Sequence, residues 1–553
     1  MTARQHIFRV RRNYNQWVAN ETLEDYALRF TAKSARRWSS ARVTNTALGA
    51  ISFLALEAIG GAITLHYGFN NAVLAIMAVS LVIFLTAIPI SYYAARYGVD
   101  SDLLTRGAGF GYIGSTITSL IYASFTFIFF ALEAVIMAMA LELLFGIPLA
   151  FGYIICAVMV IPLVTHGIAL ISRFQLWTQP LWIVLQLLPF IFIIYLDAQA
   201  VDNWTSFAGV HNGQENTFNL LMFGAAAAVL FALIAQIGEQ VDFLRFIPEP
   251  EPGQRLRWWV AVMAGGPGWI IIGAIKILAG SFLAVLALNH GVDAIEAADP
   301  TRMYMIAFGY ITSSPTVSLA MAGIFVILCQ VKINVTNAYA GSIAWSNFFS
   351  RLTHSHPGRV VWLVFNVSIA LLVMELGVYR ALEETLGYYA IIAIAWAGAL
   401  VADLVINKPL GFSPKHIEFK RAHLYDINPV GVGAMFAATI LGMVCFAGLI
   451  GDIAQALAHF IALATALVVS PLIAWATKGK YYIAREPVFI AAGIDGRATC
   501  DLCENRFESE DMTWCPAYGC NICSLCCSLD ARCGDYCKTG AGYWDQIKSF
   551  FAR

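Results

Sequence analysis

Nine of the twelve cysteines in this 553-residue chain are Cys500, Cys503, Cys515, Cys520, Cys523, Cys526, Cys527, Cys533 and Cys537. The steps Cys500-x-x-Cys503, Cys520-x-x-Cys523 and Cys523-x-x-Cys526 place thiolates at the spacing that wraps one tetrahedral metal ion. Eight of the nine suffice for two four-cysteine sites, so two zinc ions are expected. An iron–sulfur cluster is the rival, because the block holds no histidine to discriminate between them.

A second set of chemically able groups is scattered through apolar sequence. Glu57, Glu133, Lys276 and Lys332 interrupt long hydrophobic runs, and Glu239, Asp242 and Arg245 close another. A charge at the centre of a bilayer costs about 2.5 to 3.5 kcal/mol on insertion scales and commonly marks a solute or ion pathway. Glu57, Glu133 and Lys332 are expected to serve a ligand or an ion, whereas Glu239, Asp242 and Arg245 are expected to snorkel or pair near a helix end. Gln330, Asn334 and Asn337 recur at i, i+4 and i+7, so they share one helix face beside Lys332.

The elements that must carry these groups are membrane helices. Hydrophobic residues make up 59% of the chain and charged ones 12%, with mean hydropathy +0.69. Ordinary globular domains are about a quarter charged, so a soluble enzyme is excluded and no catalytic residue is assigned. The net charge of −1 gives no sign of a nucleic-acid partner. Twelve stretches are long enough to cross a lipid bilayer, beginning near residues 45, 72, 112, 150, 176, 219, 259, 316, 360, 385, 430 and 456. Thirty of the 34 Lys and Arg then fall on one side, Arg302 and Arg380 on the other, and Lys276 and Lys332 within spans. The positive-inside rule makes both termini cytoplasmic. Arg4, Arg9, Arg11 and Arg12 precede no apolar run, so no cleavable signal peptide of the usual form is expected. A reducing cytosol disfavours disulfides among the tail cysteines. The final residues place Tyr543, Trp544, Ile547, Phe550 and Phe551 on one face of a helix that could meet membrane, metal domain or partner.

GAGFGYIGS at 107–115, the Asp242-Phe-Leu-Arg245-Phe motif and QVKINVTNAYAGSIAWSNFFSR from Gln330, in this order, resemble the nucleobase cation symporter family one, the purine, cytosine and hydantoin permeases. The resemblance covers about residues 30–475. It implies the LeuT-type fold, in which spans 1 to 5 and 6 to 10 form a 5+5 inverted repeat and spans 1 and 6 break beside a midplane site. Gly60-Gly61 and Gly238 are chemically suited to such breaks, and equally suited to close helix packing. The resemblance further implies that Glu57, Phe129, Glu133, Gln236, Gln330, Asn334 and Asn337 bind solute. Acids at 57 and 133, and phenylalanines where family members stack a base on tryptophan, favour a ligand bearing N–H donors or positive charge over a neutral purine or cytosine. Lys332 falls near the family's sodium position. A tethered ammonium there, with Gly60 and Gly61 freeing carbonyls and Glu57 offsetting its charge, would make the protein sodium-independent.

The expected organisation is thus an all-α membrane protein: a basic cytoplasmic segment at 1–44, a twelve-helix permease domain at 45–477, a linker at 478–499, a metal-binding domain at 500–537 and an amphipathic segment at 538–553. The expected function is a secondary transporter of a small nitrogenous solute in the cell (inner) membrane. The tail resembles cysteine-rich segments that join transporter-like modules to histidine kinases in bacterial sensors. A solute sensor acting on a separately encoded histidine kinase is therefore the alternative.

Overall fold

The computed structural model describes residues 27–210, 216–377, 382–488, 490–491, 493, 496–530 and 532–551. Arg4, Arg9, Arg11, Arg12 and Arg380, and the side chains of Phe550 and Phe551, lie outside the described residues.

The apolar runs form helices because a chain in lipid must satisfy its own backbone groups. In order they are α1 Ser40–Gly49, α2 Ala55–Tyr97, α3 Ser115–Phe145, α4 Leu149–Thr165, α5 Gly167–Leu196, α6 Leu220–Phe231, α7 Ile237–Leu244, α8 Arg255–Gly265, α9 Trp269–Asn289, α10 Pro315–Thr353, α11 Arg359–Glu375, α12 Leu382–Ala402, α13 Pro429–Phe446 and α14 Ala458–Ala476. Among the described residues, nine helical segments are long and apolar enough to cross a membrane, and α4, at 17 residues, is a shorter apolar helix. The first two expected spans share α2, which bends at Gly68 (φ 80°, ψ 165°). A Cβ there would stand 2.5 Å from the Ala208 carbonyl oxygen, so glycine is required both for the conformation and for the approach.

Helix α9 packs along α2, and α10 along α3. These inner helices bury their polar residues, while α5 turns Trp177, Leu181, Val184 and Ile191 outward, as a lipid-facing helix does.

Two membrane helices are broken. The first passes from α1 through a 3₁₀ turn, Ala50–Ser52, and an extended Phe53 (φ −59°, ψ 141°) into α2. The second passes from α6 through a 3₁₀ stretch, Ala232–Gln236, into α7. Neither break uses the expected glycines. Gly60 and Gly61 lie inside α2, where added Cβ atoms would stand 1.9 Å from the Ile277 oxygen and 2.6 Å from the Met303 side chain; Gly238 lies in α7 against the Tyr122 ring at 2.3 Å. They are close-packing glycines, and the backbone opens where its freed groups find polar partners.

The tail folds into two antiparallel hairpins, β1 Arg497–Thr499 with β2 Arg506–Glu508 and β3 Met512–Cys515 with β4 Cys520–Cys523, followed by α15 Ser524–Leu529 and α16 Tyr543–Phe551. It seats on the loop between α12 and α13 and on the segment before α1. His423 Nε2 lies 2.9 Å from Thr513 Oγ1, Lys420 donates to the Glu510 carbonyl at 2.7 Å, and Lys538 pairs with Asp426 at 2.5 Å. Lys33 pairs with Glu510 at 2.5 Å.

Candidate functional site

The first break leaves backbone groups that a continuous helix would pair internally. Three of them go to side chains from other helices. The Ser52 carbonyl accepts from Lys276 Nζ at 3.2 Å. The Leu54 N–H donates to Gln330 Oε1 at 3.5 Å, and the Ala55 N–H donates to both carboxylate oxygens of Glu133 at 3.3 Å. A lysine thus meets the carbonyl end of one fragment and a carboxyl group the amide end of the next, the polarity helix dipoles favour.

Glu57, in the first turn of α2, accepts from Lys276 Nζ at 2.7 Å, Tyr304 Oη at 3.2 Å and Gln186 Nε2 at 3.4 Å, all on Oε1. Glu57, Glu133, Lys276, Gln186, Gln330 and Tyr304 are all at most 7% exposed. Lys276, Gln186 and Tyr304 were not assigned to the site from sequence. The signal for Lys276 was its isolation in an apolar run, but its partner Glu57 lies 219 residues away.

A second polar group lies where α7 packs on α10. Gln236 donates to Glu239 Oε2 at 2.8 Å, and Asn337 Nδ2 donates to Asn334 Oδ1 at 3.4 Å. Buried Glu239 Oε1, both Gln240 side-chain polar atoms, Gln330 Nε2, Asn334 Nδ2 and Asn337 Oδ1 have no hydrogen-bond partner among the described residues. Asp242 accepts from Tyr122 Oη at 3.1 Å, and Arg245 donates to Tyr339 Oη at 3.0 Å. Glu239, Asp242 and Arg245 are at most 1% exposed, so of the expected snorkelling or pairing it is pairing that occurs: α7 sits inside the bundle and these side chains meet buried partners. Phe129 is buried with its ring centroid 4.5 Å from that of Phe125.

Lys332 also departs from expectation. Its ammonium donates to Thr178 Oγ1 at 2.9 Å, Gln179 Oε1 at 3.1 Å and the Gln175 carbonyl at 3.3 Å, all on α5. One helical register turns it away from the first break, and the lysine that meets Glu57 and a freed carbonyl is Lys276.

Below this level, Asp102 pairs with Arg351 at 2.8 Å and Arg106 at 2.7 Å, while Asn347 links Arg106 and Asp100. Only about 10 Å³ remains among Asp102, Ser119, Tyr122 and Trp396, so this level is closed. A large cavity, about 970 Å³, lies elsewhere, lined by Arg36, Arg96, Trp258, Glu418 and Glu510 at the seat of the tail.

No protein-family model matches the chain, and no curated protein matches it by sequence. Solved structures do. Mhp1, a nucleobase-cation-symport-1 family transporter in a closed conformation with bromovinylhydantoin bound, aligns with TM-score 0.58 at 14% identity, over 82% of this chain and 98% of that one. The inward-facing conformation of Mhp1 aligns with TM-score 0.59 at 16% identity, over 80% and 94%. A substrate-bound, outward-open Na⁺-coupled sialic acid symporter aligns with TM-score 0.55 at 13% identity, over 83% and 94%. This chain has their fold: an all-α, multi-pass membrane architecture.

In the tail, Cys500, Cys503, Cys523 and Cys526 are buried, with sulfur atoms all within 4.8 Å of one another. Cys503 and Cys523 sulfurs are 3.9 Å apart, close to the edge of about 3.8 Å that a tetrahedron of 2.3 Å zinc–sulfur bonds requires. Backbone N–H groups of Cys523 and Cys526 point at Cys500 and Cys523 sulfurs at 3.3 and 3.4 Å. This set fits a structural metal ion. Cys515, Cys527, Cys533 and Cys537 line one small pocket without drawing as close, and Cys520 pairs with Cys515 across β3 and β4. Burial pushes the Cys520 and Cys527 thiols up to about 12. Among the described residues, one four-cysteine group is assembled rather than the expected two.

Proposed function

We propose that this chain is a secondary transporter that moves a small nitrogenous solute, nucleobase-like or amine-bearing, by alternating access, with twelve crossings and both termini in the cytoplasm of a cell whose (inner) membrane holds it. The observation that carries the reading is the buried set of unpartnered polar atoms between α7 and α10, beside two broken helices. Leaving such atoms unpaired costs about 1 to 3 kcal/mol each, a cost a solute would relieve.

Gln236, Glu239, Asn334 and Asn337 are the proposed solute-facing groups, with Phe129, Glu133 and Gln330 lining the α3 and α10 side. Carboxylate and amide oxygens without donors call for N–H groups on the solute, and the amide nitrogens of Gln330 and Asn334 call for acceptors on it. The fold shared with Mhp1 and the sialic acid symporter supports transport, since both of those proteins are transporters. The tail is proposed to hold zinc through Cys500, Cys503, Cys523 and Cys526, with a second zinc drawing Cys515, Cys527, Cys533 and Cys537 together.

Uptake of labelled nucleobases, hydantoins and small amines into proteoliposomes tests the reading. Accumulation that is lost in Glu239→Gln and Asn337→Ala is expected; binding without uptake across the panel would instead favour a solute sensor.

A further inference from the structure

The surroundings of Lys276 are those of a bound cation. Its ammonium sits in α9 with three oxygen acceptors: the Ser52 carbonyl at 3.2 Å, Glu57 Oε1 at 2.7 Å and Gln186 Oε1 at 3.3 Å. A lysine ammonium has three N–H donors and no acceptor, so this set uses all of them. The acceptors come from three separate helical elements and include a main-chain carbonyl that is open only because the helix breaks at Phe53. An ion pair by itself would need only Glu57. A carbonyl at the end of a helix fragment, a carboxylate and an amide oxygen together are the hard-oxygen set that binds an alkali cation where membrane helices unwind. Trp182 lies on another side, 5.6 Å from the ammonium to its ring centroid, and Lys276 is 2% exposed.

We infer that Lys276 is a resident cation: its ammonium occupies an alkali-cation site built by the first helix break, and so stabilises the broken helix without a dissociable ion there. The close approach of α9 to α2 supports this. A Cβ on Gly280 would stand 2.1 Å from the Glu57 carbonyl oxygen and one on Gly60 1.9 Å from the Ile277 oxygen. The two glycines bring the backbones together, and the lysine one turn before Gly280 reaches the break from that packed contact. The inference does not depend on the transport reading, because it concerns what holds the break together whether or not solute moves.

The test is thermal stability of the purified full chain in sodium, potassium, lithium or choline chloride at equal ionic strength, with no solute. Wild-type protein should melt at the same temperature in all four. Lys276→Ala should melt lower in choline and recover by about 5 °C in a saturating alkali cation or in ethylammonium, which restores the missing charge. The paired variant Glu57→Gln with Lys276→Met removes both charges and should fold with no cation dependence. A wild type stabilised by sodium over choline would overturn the inference. So would a Lys276→Ala protein that is equally unstable in every cation.

Discussion

Arg29 Nη1 lies 3.3 Å from Asp511 Oδ2, and both side chains are buried. Asp511 also accepts from Ser524 Oγ at 2.5 Å, and Ser524 follows Cys523, one of the four clustered cysteines. The segment leading to the first membrane helix is therefore tied to the four-cysteine cluster of the tail through three side chains, Arg29, Asp511 and Ser524.

Removing one partner of a buried pair costs about 3 to 5 kcal/mol, because the other charge is stranded. Arg29→Ala should loosen the tail from its seat while the helical bundle stays folded. Limited proteolysis should release the tail faster from this variant than from wild type, with an unchanged midpoint for bundle melting.

Metal content separates the two groups of cysteines. Cys503→Ser should lose one equivalent of zinc and the folding of both hairpins, measured by metal analysis and hydrogen exchange. Cys533→Ser with Cys537→Ser should lose only the second equivalent, and purified wild-type protein that holds just one would restrict the tail to the assembled cluster.

Glu418 gives the seat of the tail a pH dependence. Burial favours its neutral form, but the His423 hydrogen bond, the charge of Lys420 and the Lys420 backbone N–H outweigh it and hold the carboxyl at about 2. Since this lies below the ordinary 4.5, the contribution, on the order of 3 kcal/mol, is complete above about pH 4.5 and is lost as pH falls toward 2. Glu418→Gln should release the tail more readily than wild type at pH 7 and indistinguishably near pH 2, as followed by tryptophan fluorescence.

Glu133 accepts the Ala55 N–H at the first break, so charge and shape there are separable. Glu133→Gln keeps an acceptor and should fold, shifting solute preference toward neutral bases. Glu133→Ala strands the amide end of α2 and should lower the melting temperature by several degrees; a solute profile unchanged in Glu133→Gln would remove this residue from the site.

Gly60→Ala should be poorly tolerated although glycine is usually the worse helix former. The added methyl would press on the Ile277 oxygen, and overpacking of this kind costs about 1 to 3 kcal/mol. Reduced yield of folded protein is the expected readout, compared with Gly146→Ala, where nothing lies within 4 Å but φ is positive.

Hydropathy alone marks out long apolar helices, because the apolar run a bilayer demands is a local property of the chain, though among the described residues nine such segments stand where twelve were expected. The Cys-x-x-Cys steps are equally local, so Cys500, Cys503, Cys523 and Cys526 are legible as ligands from spacing. Their grouping is not: it depends on the β3–β4 hairpin carrying Cys523 back to the Cys500 turn, leaving Cys520 across from Cys515. The same limit decided the lysines. Lys276 and Lys332 look alike as isolated cations in apolar helices, and only the packing of α9 on α2 and of α10 on α5 sends one to Glu57 and the other to Thr178. Gly60, Gly61 and Gly238 suit a hinge and close packing alike in the sequence, and the structure decides for packing, because a glycine's freedom to bend and its lack of a side chain are indistinguishable until a neighbouring helix is in place. Residue type is written along the chain, but a buried charge takes its role from the partner that burial puts against it, and that partner is set by tertiary structure.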